Sequence, residues 1–257
     1  MIIDGRKIAN GIAETLNGRG KTLYVLQVGD ESASTSYIKI KQKFGEKIGV
    51  KIIREQLSPN TQSSELILKI KEANQDKNIS GIIVQLPLPE HIVTALVLAE
   101  ISPTKDPDAL SPSPLVLPPV VAAVEEIVNR YEIDLYFSDV VVVGYGQLVG
   151  QPVTKWLRDA GVEFALVTEE NENPEKILQG ADVIISGVGK PSLIKPDMIK
   201  SGVIIIDAGT SESGGALMGD VDPKCAQKAS LLTPVPGGLG PITVAKLFQN
   251  LISLAKL

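Results

Sequence analysis

The sequence predicts an α/β chain of two domains, an N-terminal α/β domain and a Rossmann-like second domain. Three observations carry that prediction. Short apolar runs rich in Val, Ile and Leu alternate with segments whose apolar residues recur at helical spacing. A run of valines, Val140 to Val143, stops at two glycines, Gly144 and Gly146, and a helical pattern follows from Pro152. Between these regions, Ser102 to Pro119 is rich in Pro and Ser, as a domain junction is. A chain of 257 residues has room for two modest cores.

The elements follow in order. Asp4 opens a helical stretch with Ile8, Ile12 and Leu16 on one face. Thr22 to Val28 is an uncharged apolar run, the mark of a buried strand. Ser34 to Ile48 reads as a basic helix with Lys39, Lys41, Lys43 and Lys47, and Ser64 to Asn74 as an amphipathic one. Gly81 to Leu86 is a strand stopped by Pro87. Beyond the junction come a helix (Val120 to Tyr131), the valine strand and a helix (Pro152 to Ala160). Strands at Phe164 to Thr168, Val183 to Ser186 and Val203 to Asp207 complete the doubly wound pattern.

Leu231 to Pro241 holds three prolines and three glycines, which excludes a helix or a central strand. It reads as a shaped loop. A ligand-binding loop for a flat molecule and a plain structural turn both fit it. From Ile242 to Leu257 helical spacing returns, with Val244, Leu247, Phe248, Leu251 and Leu254 on one face.

Composition narrows the function classes. A net charge of -5 and 4% aromatics supply neither a basic field nor a stacking platform for nucleic acid, and no polybasic membrane patch. The single cysteine, Cys225, excludes an internal disulfide and fits a reducing compartment. The only histidine, His91, follows a turn and reads as surface, so no Cys/His cluster offers a metal site. No apolar signal core or membrane-length run is present. The expectation is a cytoplasmic protein with no metal, no nucleic acid and no membrane partner.

Two constellations carry chemistry. The turn V-V-V-V-G-Y-G-Q-L-V-G has the spacing G-x-G-x-x-x-G, one residue longer than the usual dinucleotide fingerprint. Its strand–turn–helix setting suits a pyrophosphate at a helix N-terminus, and also suits a close packing turn. Glu169 and Glu170 follow the next strand, where an acid accepts from a ribose 2′-hydroxyl or simply faces water. In the first domain, Tyr37 and Lys41 are four apart on one helix face. Gln85 ends a strand, and Lys105, Asp106 and Asp108 lie in the junction. A lysine between a phenol and an amide can act as general acid or base. Read from the residues alone, Lys41 is first a cation on a solvated face, and Asp106 and Asp108 are first turn formers.

Taken together, the segments resemble the bifunctional methylenetetrahydrofolate dehydrogenase/methenyltetrahydrofolate cyclohydrolase family. The matching pieces are S-x-x-Y-I-x-x-K-x-K (Ser34 to Lys43), G-I-I-V-Q-L-P-L-P (Gly81 to Pro89), K-D-P-D (Lys105 to Asp108), the glycine turn, V-G-K-P (Val188 to Pro191), I-D-A-G (Ile206 to Gly209), G-D-V (Gly219 to Val221) and T-P-V-P-G-G-L-G-P-I-T-V (Thr233 to Val244). The resemblance implies a catalytic, folate-binding domain over 1–118 with 242–257, the last helix returning to it, and an NAD(P)-binding domain over 119–241. Lys41 resembles the catalytic lysine, Tyr37 its neighbour that stacks on the pterin, Gln85 the glutamine that hydrogen-bonds and tunes the lysine, and Asp108 the carboxylate that anchors the pterin. Ser34, Leu86, Pro236 and Gly237 fall at substrate-binding positions. Gly144, Tyr145, Gly146, Gln147, Thr168, Glu169 and Thr210 fall at cofactor positions. The resemblance further implies tetrahydrofolate derivatives as substrates, NADP or NAD as cofactor and a homodimer.

Three departures from the family pattern bear on the cofactor and on the junction. Gly144-Tyr145-Gly146 stands where G-R-S or G-A-S is common, and Thr168-Glu169-Glu170 where a basic patch is usual. K-D-P-D-A-L replaces K-D-V-D-G-F, the segment after it is shorter, and a threonine–proline pair is reduced to Pro118-Pro119. The acids lead to the expectation that NAD is used at least as well as NADP. Two other readings stand beside the bifunctional one: a cyclohydrolase with weak or lost dehydrogenase activity, and a non-catalytic folate- or nucleotide-binding protein.

Overall fold

The computed structural model describes residues 1–29, 32–213 and 216–257, with the side chains of 32–37 and 213 outside that description. The chain divides into two compact units, Asn10–Pro119 with Val244–Leu257, and Met1–Ala9 with Val120–Thr243.

The order begins α1 (Gly5–Thr15), β1 (Thr22–Val28), α2 (Ser32–Ile48), β2 (Lys51–Leu57), α3 (Ser63–Gln75), β3 (Gly81–Val84) and α4 (Thr94–Ala99). In this unit the three strands form a parallel sheet in the order β2-β1-β3. Strand β1 is central, and its side chains alternate between two cores. Leu23 and Val25 enter a cluster with Ile38, Ile83, Phe248 and Leu251. Tyr24, Leu26 and Val28 enter another with Leu66, Ile70, Ile82 and Leu98. Strand β2 is not evident from the sequence, because K-I-I-R-E-Q-L mixes charge with apolar residues. It is an edge strand, where charge keeps the open ladder from pairing with another chain.

The order continues α5 (Pro119–Arg130), β4 (Val140–Val143), α6 (Gly150–Asp159), β5 (Phe164–Val167), α7 (Pro174–Gly180), β6 (Val183–Ser186), β7 (Ile204–Asp207), β8 (Ser211–Ser213), β9 (Ala216–Met218), β10 (Leu231–Leu232) and α8 (Leu239–Leu254). Five parallel strands lie in the order β10-β7-β6-β4-β5, and β8 and β9 form a separate antiparallel pair. Crossovers on both sides of β4 make this a doubly wound sheet. Among the described residues no helix is long and apolar enough to cross a membrane.

In the structure residues 1–9 group with the second unit. The cause is main-chain pairing: Ile3 N–H donates to Leu232 O at 2.9 Å and Gly5 N–H to Gly237 O at 2.9 Å. The loop expected over Leu231 to Pro241 is also shorter. Leu231–Leu232 pairs with β7 at the sheet edge, and α8 already begins at Leu239. Pro241 is tolerated because it sits in the first helical turn, where no N–H is needed. The last helix does return to the first unit, through Val244–Leu257. There Phe248 stacks on Phe44 with ring centroids 5.4 Å apart.

The glycine turn depends on a crossing without side chains. Gly144 has φ of +90°, and a Cβ on Gly150 would lie 2.1 Å from Gly144 O and 2.7 Å from Tyr145 Cα. Backbone cannot swing aside as a side chain can. Gly150→Ala should therefore cost about 2–3 kcal/mol by overpacking, read as a lower urea midpoint with an unchanged m-value.

Candidate active site

Helix α2 carries Lys39, Lys41, Lys43 and Lys47, but only Lys41 is buried, at 8% exposure. It lies on the helix stripe of Ile38, Gly45 and Ile48, all buried. The solvated-face reading of Lys41 is thus overturned. Its Nζ donates to Gln85 Oε1 at 3.2 Å and lies 3.8 Å from Asp108 Oδ2. Gln85 stands one residue past β3, and its N–H extends the ladder to Leu26 O at 2.8 Å. Its Nε2 donates to Leu86 O at 2.8 Å, which leaves Oε1 to face the lysine. Leu86 packs on the core cluster below and joins Pro87 through a cis peptide bond. Tyr37 lies one helical turn before Lys41, and the expectations for the Tyr37 and Ser34 side chains fall outside the described residues.

Asp108 is presented by a braced turn. Lys105 Nζ donates to Ala73 O at 2.9 Å and Asp76 O at 2.7 Å. Asp106, wholly buried, accepts from Ser111 N–H at 2.7 Å, so it is a turn former as read. Asn250 of α8 donates to Pro107 O at 3.0 Å and Leu117 O at 2.9 Å. Asp108 is no mere turn former, since its carboxylate faces Lys41. Burial raises its proton affinity, the Lys41 charge opposes that, and the Asp106 charge adds to it.

In the second unit, the expected cofactor residues stand at carboxyl ends of parallel strands. Tyr145, Gly146 and Gln147 are exposed in the turn after β4. A Cβ on Gly146 would meet only Gly187 O, at 3.9 Å, so the turn offers open, side-chain-free backbone before α6. Thr168 follows β5, and its N–H donates to Asn171 Oδ1 at 2.7 Å. Glu169 is exposed and ion-paired with Lys190, whose ammonium lowers the carboxyl's proton affinity. Thr210 is exposed three residues past β7. Pro236 is exposed, and Gly237 holds φ of +103°.

Two buried acids organise these strand ends, and the sequence reading assigns them no role. Asp220 Oδ2 accepts from Ser186 Oγ and Val188 N–H, both at 2.7 Å, and Oδ1 from Gly189 N–H at 2.8 Å and Lys190 N–H at 2.9 Å. Asp207 Oδ1 accepts from Gly209 N–H at 2.9 Å and Asp220 N–H at 3.3 Å, and Oδ2 from Val221 N–H at 3.0 Å. The available signal was acids set beside glycines in I-D-A-G and G-D-V. A Cβ on Gly209 would lie 2.1 Å from Asp220 Cγ, and one on Gly219 2.1 Å from Asp207 Oδ2.

Desolvation and the charge of Asp220 push the Asp207 carboxyl up to about 7, against the pull of its N–H donors. The native state therefore holds a proton that the unfolded chain has released between about pH 4 and pH 7. Asp207 should make stability fall as pH rises through that window and then level off. Urea unfolding of the wild type and Asp207→Asn from pH 4.5 to 8 checks this. The stability of the wild type relative to the variant should rise toward the acid end, and parallel profiles would refute it.

Residues 3–108 match the catalytic domain of tetrahydrofolate dehydrogenase/cyclohydrolase, and residues 118–257 its NAD(P)-binding domain. The chain is 36% identical over 274 aligned positions to bifunctional protein FolD 2 of Lactobacillus johnsonii, covering 99% of this chain and 97% of that protein. The crystal structure of the bifunctional FolD methylenetetrahydrofolate dehydrogenase/cyclohydrolase from Campylobacter jejuni superposes with a TM-score of 0.94 at 35% identity, covering 100% of this chain and 98% of that one. The Trypanosoma brucei FolD structure, complexed with NADP and an inhibitor, gives 0.93 at 30% identity over 100% and 97%. With both domains matched and relatives aligned end to end, the chain belongs to the tetrahydrofolate dehydrogenase/cyclohydrolase family.

Proposed function

We propose that Lys41, Gln85 and Asp108 carry the folate chemistry of this bifunctional dehydrogenase and cyclohydrolase. The observation behind this reading is one buried lysine, 3.2 Å from an amide oxygen and 3.8 Å from a carboxylate. In the first reaction, hydride leaves the one-carbon bridge of 5,10-methylenetetrahydrofolate. The dinucleotide supplies the hydride acceptor, and the chain's task is to place the donor carbon. In the second, water adds to the methenyl carbon, the bond to N5 breaks, and 10-formyltetrahydrofolate forms with net release of one proton. Lys41 Nζ acts first as the neutral amine, taking a proton from the adding water, and then as the ammonium, giving it to N5. Gln85 orients Nζ. Asp108 accepts from the pterin amide N–H and the adjacent amino group.

Lys41→Met should retain the fold and folate binding and abolish methenyl hydrolysis, followed by loss of methenyl absorbance. Near wild-type hydrolysis would remove the assignment. Asp108→Ala should weaken folate by about 2–4 kcal/mol, the value of a charge-assisted pair, and dinucleotide hardly at all. Calorimetry with each ligand reads the difference, and equal losses would make Asp108 a structural residue. Because burial raises Asp108, folate affinity should fall on acidification before an exposed aspartate would titrate.

For the cofactor, the same proposal is that NAD serves at least as well as NADP. Tyr145 brings no positive charge to the turn, and Glu169 and Glu170 oppose a 2′-phosphate. The test is kcat/KM for both dinucleotides in the wild type and in a Tyr145→Arg/Glu169→Ser variant. A wild-type preference for NADP of about tenfold (about 1.4 kcal/mol) would sink it and leave the folate reading intact. The reading of a cyclohydrolase with weak dehydrogenase activity draws on the departures at Gly144-Tyr145-Gly146 and Thr168-Glu169-Glu170, which fall on the nucleotide side. The same assay, set beside the hydrolysis rate, decides it.

A further inference from the structure

Lys190 and Glu169 come from opposite sides of one strand. Lys190 follows β6 and Glu169 follows β5, and β4 lies between them in the sheet. Their ion pair therefore joins the two outer strand ends across the end of β4, where the glycine turn lies. Any ligand whose phosphates rest on that turn meets this bridge.

The main chain under both residues is pinned, and only the side chains are free to move. Lys190 N–H donates to Asp220 Oδ1 at 2.9 Å, and two residues later Ser192 N–H donates to Gly219 O at 3.1 Å. Around Glu169, Thr168 N–H donates to Asn171 Oδ1 at 2.7 Å and Glu170 N–H to Thr168 Oγ1 at 3.3 Å. By contrast the Lys190 and Glu169 side chains are 56% and 79% exposed. An ion pair that open to water contributes little, so its exchange for another partner is cheap. A phosphate dianion competes well for an ammonium held by a single exposed carboxylate.

We propose that Lys190 is the residue that admits NADP to this site, its ammonium leaving Glu169 for the ribose 2′-phosphate. With NAD, Glu169 accepts from the free 2′-hydroxyl, and the lysine is not needed. With NADP, Lys190 turns to the phosphate, and Glu169 is the group that opposes it. The two residues thus pull the dinucleotide choice in opposite directions from one ion pair. This inference rests on the dinucleotide reading of the glycine turn.

The test is calorimetric binding of NAD and NADP to the full chain, wild type, Lys190→Met and Glu169→Gln, without folate. Lys190→Met should raise the Kd for NADP by about tenfold or more and that for NAD by less than about threefold. Glu169→Gln should do the reverse, weakening NAD and tightening NADP, because it frees the lysine and removes a repelling charge. Raising salt should weaken NADP more than NAD in the wild type, and this difference should shrink in Lys190→Met. An unchanged urea midpoint and m-value confirm the fold of both variants. Equal effects of Lys190→Met on both dinucleotides, or none on either, overturn the selector while the glycine-turn reading stands. Failure of the wild type to bind either dinucleotide overturns both.

Discussion

A carboxylate taken out of water must find donors for its lone pairs, and Asp220 finds four. The wholly buried side chain is met by Ser186 Oγ and by three successive main-chain N–H groups, those of Val188, Gly189 and Lys190. That demand shapes the strand ends of the second unit. The chain leaving β6 has to wrap around the carboxylate, which sets where Lys190 starts. Gly209 and Gly219 have to lack side chains so that Asp220 and Asp207 can approach. Removing the carboxylate would orphan three N–H groups at once, each costing about 1–3 kcal/mol if it stays buried. The acids are therefore the fixed point around which a ligand-facing surface is arranged.

The first unit treats its buried charge in the opposite way. Lys41 has three N–H donors, and among the described residues it meets one amide oxygen at hydrogen-bond distance and one carboxylate at 3.8 Å. Asp108 keeps a side chain 23% open to solvent. A saturated charge such as Asp220 holds main chain in place. A charge left with capacity can meet a substrate and move a proton. The two sites differ less in residue type than in how completely the fold has answered each charge.

This difference explains what the sequence discloses. The β1 run, the valine strand and the helical spacing of α8 are local patterns, and the structure contains them. Lys41 was read from the residues as a solvated cation, although Ile38, Lys41, Gly45 and Ile48 recur at helical spacing while Lys39, Lys43 and Lys47 fall off that stripe. The edge strand β2 hides because an exposed ladder tolerates charge. Strand β10 was missed for a related reason. Its pairing with the amino terminus joins Ile3 to Leu232 across most of the chain, and no local pattern records it. Asp207 and Asp220 look like ordinary acids until their donors, all but Gly209 from thirteen to thirty-four positions away, are seen.

The junction shows how such distant pairing holds a segment that has no regular element. Between Pro107 and Leu117 the backbone runs through prolines and serines with no regular element. One amide closes it, since Asn250 Nδ2 donates to the carbonyls at both ends. Two main-chain acceptors are satisfied by a single side chain, and the segment between them needs no ladder of its own. Asn250 is carried by α8, whose Phe248 and Leu251 are fully buried against the sheet. The helix that completes the core therefore also measures the junction. The turn that presents Asp108 to Lys41 is held at its proline by the same amide, so the length of the segment beyond can change while the carboxylate stays in place.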